Sequence, residues 1–364
     1  MPVRFRGRIG DGIQLEDIRE TVVPVTINRL WGCDLDISDQ DLTLTIDRFG
    51  ERYIEPAVQR IANMIDGEGL DLYADVYNLA QLNVTPGVTP TTRTAYTAAG
   101  VTLSNSGAPY GSLRALVVSP EMEAAAIEFG ATLFNPPKTI SEQYLSGTMG
   151  QALGFKWSMD QNVSRATVGL AGGTPVVNGA NQTGSSLITS GWTASTQVLN
   201  TGDIIKVAGV NSVNPISYRD TGQLRTFVVG PNCPASDGSG NLTIPISPDI
   251  NIDVTSPFQT VTQSPANNAA IFVYNTAAAN LANISGVSSP QALAFHRDAF
   301  ALAIVNLELP GGLDWSERIS NPKVGISMRL TRGFDMRTNR RYTRLEAFGG
   351  WKTLRPEFAC RIAG

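Results

Sequence analysis

Apolar and polar positions alternate with a period of two near both ends of the chain, and switch to a helical period just after the first of these stretches. Val3 and Phe5 alternate with Arg4, Arg6 and Arg8 ahead of an Asp11-Gly12 turn, and Val23, Val25, Ile27, Trp31, Cys33, Leu35 and Ile37 all fall on odd positions. Both runs predict strands. Ile54, Ala57, Val58, Ile61, Ala62 and Ile65 then recur at i, i+3, i+4, i+7, i+8 and i+11, while Arg52, Glu55, Gln59, Arg60 and Asn63 fall elsewhere. That spacing predicts a helix with one buried stripe. Gly50 and Pro56 place a start or a kink close to Pro56. Near the other end, Ile326, Met328 and Leu330 alternate with Ser327, Arg329 and Thr331. Thr343, Leu345, Ala347 and Trp351 continue the alternation past a Thr338-Asn339 turn, so a long hairpin is predicted.

Between these ends the pattern is less regular. Residues 83–112 are rich in Thr, Pro and Gly and read as loop, and residues 113–118 read as a short apolar strand. Ser119-Pro120-Glu121 supplies an N-cap, a proline at the first helical position and an acid in the first turn, opening a helix to about Phe129. From 165 to 263 charges become sparse, Gly, Ser, Thr, Asn and Val dominate, and short strands at 204–207 and 226–229 are separated by turn dipeptides. This predicts a compact all-β unit inserted into something else. Residues 266–284 and 289–305 return to Ala-rich mixed structure, and the whole reads as α+β.

The 364 residues suggest two or three folding units, and 42% hydrophobic against 16% charged residues excludes disorder, a long coiled coil and a collagen-like repeat. A net charge of −4 is too balanced to predict a polyanion or membrane partner from the whole chain. Its distribution is uneven. Residues 317–364 carry eleven bases against four acids, a local +7, which leaves −11 on residues 1–316. Tyr342, Phe348 and Trp351 belong to the strand pattern and make a poor stacking platform for nucleic acid, so interlocking with acidic parts of the same or a neighbouring copy competes with that reading. The Arg-rich start lacks an apolar h-region, and no run of about eighteen apolar residues occurs, so neither a signal peptide nor a membrane span is expected.

Chemical motifs are sparse. The single histidine, His296, excludes sites that need two or three imidazoles, and beside Arg297-Asp298 it reads as a structural hydrogen-bonding residue. Cys33, Cys233 and Cys360 are far apart and form no CxxC, which suggests neither a disulfide framework nor a zinc knuckle and fits a reducing compartment. Asp34, Asp36, Asp39 and Asp41 resemble a calcium loop, but Asp39 replaces the turn glycine and Thr45 the bidentate glutamate, so they read as a solvated strand edge. Gly7, Gly10 and Gly12 match no nucleotide cradle, and no GxSxG or carboxylate pair stands out. No catalytic residue, cofactor or metal is expected. A carbohydrate-active hydrolase would need a carboxylate pair that this sequence does not offer.

Taken in order, the segments "LTLTIDRFGERYIEPAVQRIANMID", "RALVVSPEMEAAAIEFGATLF", "GQALGF", "TGDIIKVAGVNSVNP", "TGQLRTFVV", "ALAFHRDAFALAIVNLELP" and "TRLEAFGGWKTLRPEFACRIAG" resemble the major coat proteins of tailed bacteriophages, specifically the P22-type group. The resemblance covers nearly the whole chain. It implies an α+β HK97-type capsid fold with an inserted all-β domain. Residues 1–37 would be an extended loop reaching over a neighbour, and 38–112 with 306–364 a peripheral domain whose spine helix spans 47–66. Residues 113–164 with 264–305 would form an axial domain, and 165–263 the inserted barrel-like domain. Members of the group usually carry an N-terminal arm before the extended loop, whereas this chain starts almost at the loop.

The implied function is structural: copies assemble into pentamers and hexamers of an icosahedral head around double-stranded DNA held without sequence reading. Scaffolding and portal proteins are the expected partners, with no membrane, and the host cytoplasm is the place of assembly. The first ribbon has few bulky apolar residues, so it is expected to dock on an identical copy in an interface of ~1,600 Å². The expected contact residues are Arg4, Arg6 and Arg8 with the acidic Glu16, Asp17 and Glu20, and Arg337, Arg340 and Arg341 of the terminal hairpin. A tail-tube or surface-layer subunit is the alternative.

Overall fold

The structure is a computed structural model that describes residues 4–7, 11, 22–38, 50–80, 85–111, 113–131, 150–321, 325–337 and 340–364. In chain order its elements begin with β1 (Arg29–Ser38), α1 (Glu55–Leu70), α2 (Arg93–Asn105), β2 (Arg114–Val118), α3 (Pro120–Ala131), β3 (Gln151–Ala152), β4 (Phe155–Met159) and β5 (Arg165–Thr167). Next come β6 (Gly173–Val177), β7 (Gly184–Trp192), β8 (Ile204–Val213), β9 (Asp220–Val229), β10 (Leu242–Ile250) and β11 (Ile271–Val273). The last are β12 (Ser288–His296), β13 (Phe300–Val305), β14 (Trp315–Asn321), β15 (Ile326–Asp335), β16 (Arg340–Thr353) and β17 (Ala359–Ala363). The chain divides into two units, residues 24–70 with 300–353 and residues 1–23 with 71–299 and 354–364. These boundaries cut across the domain map implied by the resemblance, since residues 354–364 join the unit that holds the inserted β stretch.

In the unit of residues 24–70 and 300–353, the sheet order is β1-β16-β15-β14, with β13 also pairing β16. All of these pairs are antiparallel. Odd positions of β1 share a face with alternate positions of β16 and β15, and α1 lies on it. Ala57, Ile61 and Ile65 of the helix bury against Trp31, Leu330, Leu345 and Ala347. A wide turn over Gly50–Ile54 leads into α1, with Pro56 in its first turn where a missing N–H costs little. Trp351 Nε1 donates to the Ile65 carbonyl at 2.8 Å, and its ring lies where a Cβ on Gly69 would come within 2.9 Å. Residues 29–37, expected in an extended loop, are therefore an edge strand that buries its own tryptophan, Trp31, to 2% exposure. The odd-position apolar residues supply the face that the expectation undervalued.

The other unit holds two sheets. The inserted stretch forms a six-stranded antiparallel sheet in the order β11-β8-β9-β10-β7-β6. A bridge between Val176 and Ala270 brings its two outer strands together, and alternating positions such as Leu187, Val207, Phe227 and Ile244 fill the interior. Two glycines permit the close approach of β6 and β7: a Cβ on Gly173 would lie 2.3 Å from the Gly191 carbonyl, and one on Gly191 would lie 2.4 Å from that of Thr174. The remaining sheet has the order β17-β12-β2-β4-β3, with β5 also on β12 and with β2 and β4 parallel.

Residues 93–105, read as loop from composition, form α2 instead. Ala95, Tyr96, Ala98, Ala99 and Leu103 are buried. The hydroxyls of Thr97, Thr102 and Ser104 bond back to the carbonyls of Arg93, Ala98 and Gly100 at 3.1, 2.8 and 3.0 Å, which removes their competition with the helix. Small side chains also let the helix pack closely, with the Phe155 ring 3.5 Å from the place of a Cβ on Gly100. The capped start at Ser119 is present in α3, where Ser119 Oγ accepts from the Met122 amide at 3.4 Å. Residues 288–296 and 300–305, expected to be mixed, are the strands β12 and β13. His296 is buried, takes the Asp298 amide on Nδ1 at 3.4 Å and meets Phe358 edge to face, a structural role.

Candidate assembly surfaces

Two of the arginines expected to reach a neighbour are held by their own chain. Arg4 Nη2 donates to Glu357 Oε1 at 2.7 Å, and Arg6 Nε donates to the Ser256 carbonyl at 3.1 Å. Arg6 Nη2 also donates to Gln259 Oε1, and its guanidinium stacks 4.3 Å from the centre of the Tyr218 ring. Tyr218 Oη lies 3.4 Å from the carbonyls of both Phe5 and Pro257. Arg4, Gln259 and Glu357 line a cleft of about 710 Å³ together with Tyr77, Thr102 and Arg225. Arg225 stacks 4.6 Å from the centre of the Tyr77 ring, and burial pushes that phenol up to about 12. Arg8, Glu16, Asp17 and Glu20 lie outside the described residues.

The basic terminal hairpin also finds acids within its own sheet. β1 and β16 set Asp34 opposite Arg344 and Asp36 close to Arg340. Arg344 makes a two-pronged contact, Nε to Asp34 Oδ1 at 2.8 Å and Nη2 to Oδ2 at 3.1 Å. Arg340 pairs with Asp36, and Arg329 with the buried Glu346. The hydrogen bond that Arg344 donates to Asp34, and then the Asp34 charge, holds the guanidinium above its ordinary range. Arg341 lies 3.9 Å from Asp314 and 5.9 Å from the Phe334 ring centre. Arg337 is exposed, its amide donating to Asp335 Oδ1 at 2.9 Å. Asp34 and Asp36, weighed as a calcium loop, are thus arginine partners; Asp39, Asp41 and Thr45 lie outside the described residues. The local +7 is partly neutralised by a strand three hundred residues earlier in the chain.

Among the described residues there is no cluster of three or more metal-ligating side chains. Residues 2–364 match the family model described as "P22 coat protein - gene protein 5". The chain belongs to the P22 coat protein family. It is a major capsid protein, a structural component of the phage head and hence of the virion. No curated protein matches it in sequence. Among solved structures, one from Mycobacterium phage Che8 is 13% identical with a TM-score of 0.46, covering 96% of this chain and 76% of that one. The capsid structure of the cyanophage P-SCSP1u is 10% identical with a TM-score of 0.44, over 99% and 81%. The CUS-3 coat protein I-domain is 32% identical with a TM-score of 0.19, over 31% of this chain and 97% of that one.

The coat protein also contains a buried polar joint that sequence reasoning missed. Arg361 on β17 is 0% exposed. Its Nε and Nη2 donate to Gln291 Oε1 at 3.1 and 2.7 Å, Nη1 donates to the Gly202 carbonyl, and Nη2 lies 3.3 Å from Tyr274 Oη. Tyr274 Oη in turn donates to Asp203 Oδ1 at 3.5 Å. Asp203 Oδ2 accepts from the amides of Asn200 at 2.8 Å and Gly169 at 3.0 Å. Burial pushes the Asp203 carboxyl up to about 6, against the opposing pull of those amides and of Arg361. The joint ties the inserted sheet to the β17-β12 edge of the mixed sheet. No spacing motif announces it, because Arg361 lies 70 to 159 residues from Gln291, Tyr274 and Gly202 in the chain.

Proposed function

We propose that copies of this coat protein close into an icosahedral shell built from pentamers and hexamers of an HK97-type subunit, enclosing double-stranded DNA through contacts that read no sequence. The observation that carries the reading is the coat-protein family match over residues 2–364. In this proposal residues 165–263 stabilise the subunit as an inserted domain, residues 113–164 with 264–305 face the ring centres, and residues 38–112 with 306–364 form the periphery. Scaffolding and portal proteins take part, assembly occurs in the host cytoplasm, and the arginine-bearing surfaces Arg4, Arg6, Arg8, Arg337, Arg340 and Arg341 meet neighbouring copies. Exposed Trp315, Ile319, Phe334 and Met336 on the β14-β15 hairpin support it, since apolar side chains gathered on one hairpin are suited to contact with a partner. No helix among the described residues is long and apolar enough to cross a membrane.

The test is electron microscopy of the purified protein, expressed alone and together with the adjoining phage genes. Closed icosahedral particles with five- and six-fold rings are expected. Tubes, flat arrays or a uniform monomer in both preparations would overturn the shell geometry.

A further inference from the structure

The side chains that hold the segment at the start of the described chain are its two arginines, with Tyr218 Oη 3.4 Å from the Phe5 carbonyl. Phe5 between them stays 56% exposed, so little apolar burial locks the segment down. The receiving side is contributed by parts of the chain some 250 and 350 residues away: Glu357 for Arg4, and Ser256, Gln259 and Tyr218 for Arg6. Alternate positions of an extended segment thus meet a carboxylate and, two residues on, a carbonyl, an amide oxygen and an aromatic face, a chemistry selective for Arg-x-Arg.

We infer that Glu357, Gln259, the Ser256 carbonyl and the Tyr218 ring form a receptor for an extended Arg-x-Arg segment, filled here by the chain's own residues 4–6, and that in the shell it takes the same segment of a second copy. The second half rests on the coat-protein reading. An identical segment from a neighbour remakes every contact, so exchange between copies costs little enthalpy. Residues 8–23 join the segment to the next unit, and sixteen residues of chain have a contour length of up to about 55 Å. In a free subunit the tether keeps the local concentration of the chain's own segment high, on the order of millimolar, so the receptor stays filled in cis. In a shell the neighbours' segments compete at comparable concentration.

The receptor is tested with a labelled peptide of residues 1–12, MPVRFRGRIGDG, titrated against the full chain carrying Arg4→Ala and Arg6→Ala. That variant disables the internal competitor and leaves the receptor intact. Saturable binding is expected, weaker to the wild-type chain, and weaker by roughly tenfold when Glu357→Gln is added. No binding to the disabled chain, or binding indifferent to Glu357→Gln, overturns the receptor. Exchange is read by bridging Phe5→Cys to Pro257→Cys, whose backbone carbonyls both lie 3.4 Å from Tyr218 Oη, with a short bismaleimide, beside a wild-type control for the native cysteines. Links within one chain are expected in free subunits, and ladders of linked chains in particles. Particles showing only links within single chains would overturn the exchange. A chain that forms no particles sinks the shell reading and the exchange with it, whereas the peptide titration judges the receptor alone.

Discussion

Replacing Asp203 by Asn removes a buried charge while keeping the shape of the group that caps the Asn200 and Gly169 amides. In the folded chain the carboxyl titrates at about 6 against an ordinary 3.8, because burial penalises the ionised form more than the two amides, Arg361 and Tyr274 repay it. A raised carboxylate has a definite sign: as pH falls through about 6 the folded chain takes up a proton that the unfolded chain does not accept until about 3.8. Stability contributed by this group therefore rises on acidification across that window and is lost again toward neutral pH. A shift of about two pH units corresponds to about 3 kcal/mol. The lowered carboxyls of Asp220, Asp237 and Asp253, held chiefly by hydrogen bonds, act in the opposite sense below about 4 and are common to both chains. Urea unfolding followed by tryptophan fluorescence, with Trp192 buried in the inserted sheet, gives the comparison. Between about pH 4 and 7.5 the stability of Asp203→Asn relative to wild type should move by about 3 kcal/mol in favour of the variant. A relative stability that stays level within about 1 kcal/mol over that range would refute the burial argument.

Two further outcomes follow from packing and exposure. Ile61→Ala removes a fully buried side chain from the contact of α1 with Trp31 and Leu345, and should cost about 2–5 kcal/mol, read as faster hydrogen exchange along Glu55–Leu70 with the inserted sheet unaffected. The Asp34 and Arg344 pair is exposed on both sides, so a double-mutant cycle with Asp34→Asn and Arg344→Gln should give a coupling of no more than about 1 kcal/mol, shrinking further in high salt.

Legibility followed the range of the interactions. The stripe of α1, the capped start of α3 and the alternation of β15 and β16 are local patterns, and each is present where the sequence placed it. The helix α2 was illegible because its Thr, Gly, Val, Ser and Asn residues carry weak helical preference, and its stability comes from burial of Tyr96 and Leu103 against strands elsewhere in the chain. The basic character of Arg4, Arg6, Arg340 and Arg344 was visible in the sequence, but their partners in the same chain were not, since charge counting carries no address. The Arg361 joint was hidden for a further reason. An arginine three positions from Gly364, in a stretch already rich in bases, looks like surface until the strand register turns it inward against Gln291.

The pairing of β1 with β16 has a bearing on the order in which the subunit matures during synthesis. Asp34 and Arg344 are 310 residues apart, so the sheet that carries α1 cannot close until almost all of the described chain has left the ribosome. The inserted sheet, by contrast, draws its strands from one continuous stretch between Gly173 and Val273, and its contacts can form as that stretch emerges. A nascent coat subunit would then hold a finished barrel between unfinished flanks. Its edge strand β1 and the exposed hairpin of β14 and β15 would come together in one sheet only on completion, since both are joined through β16.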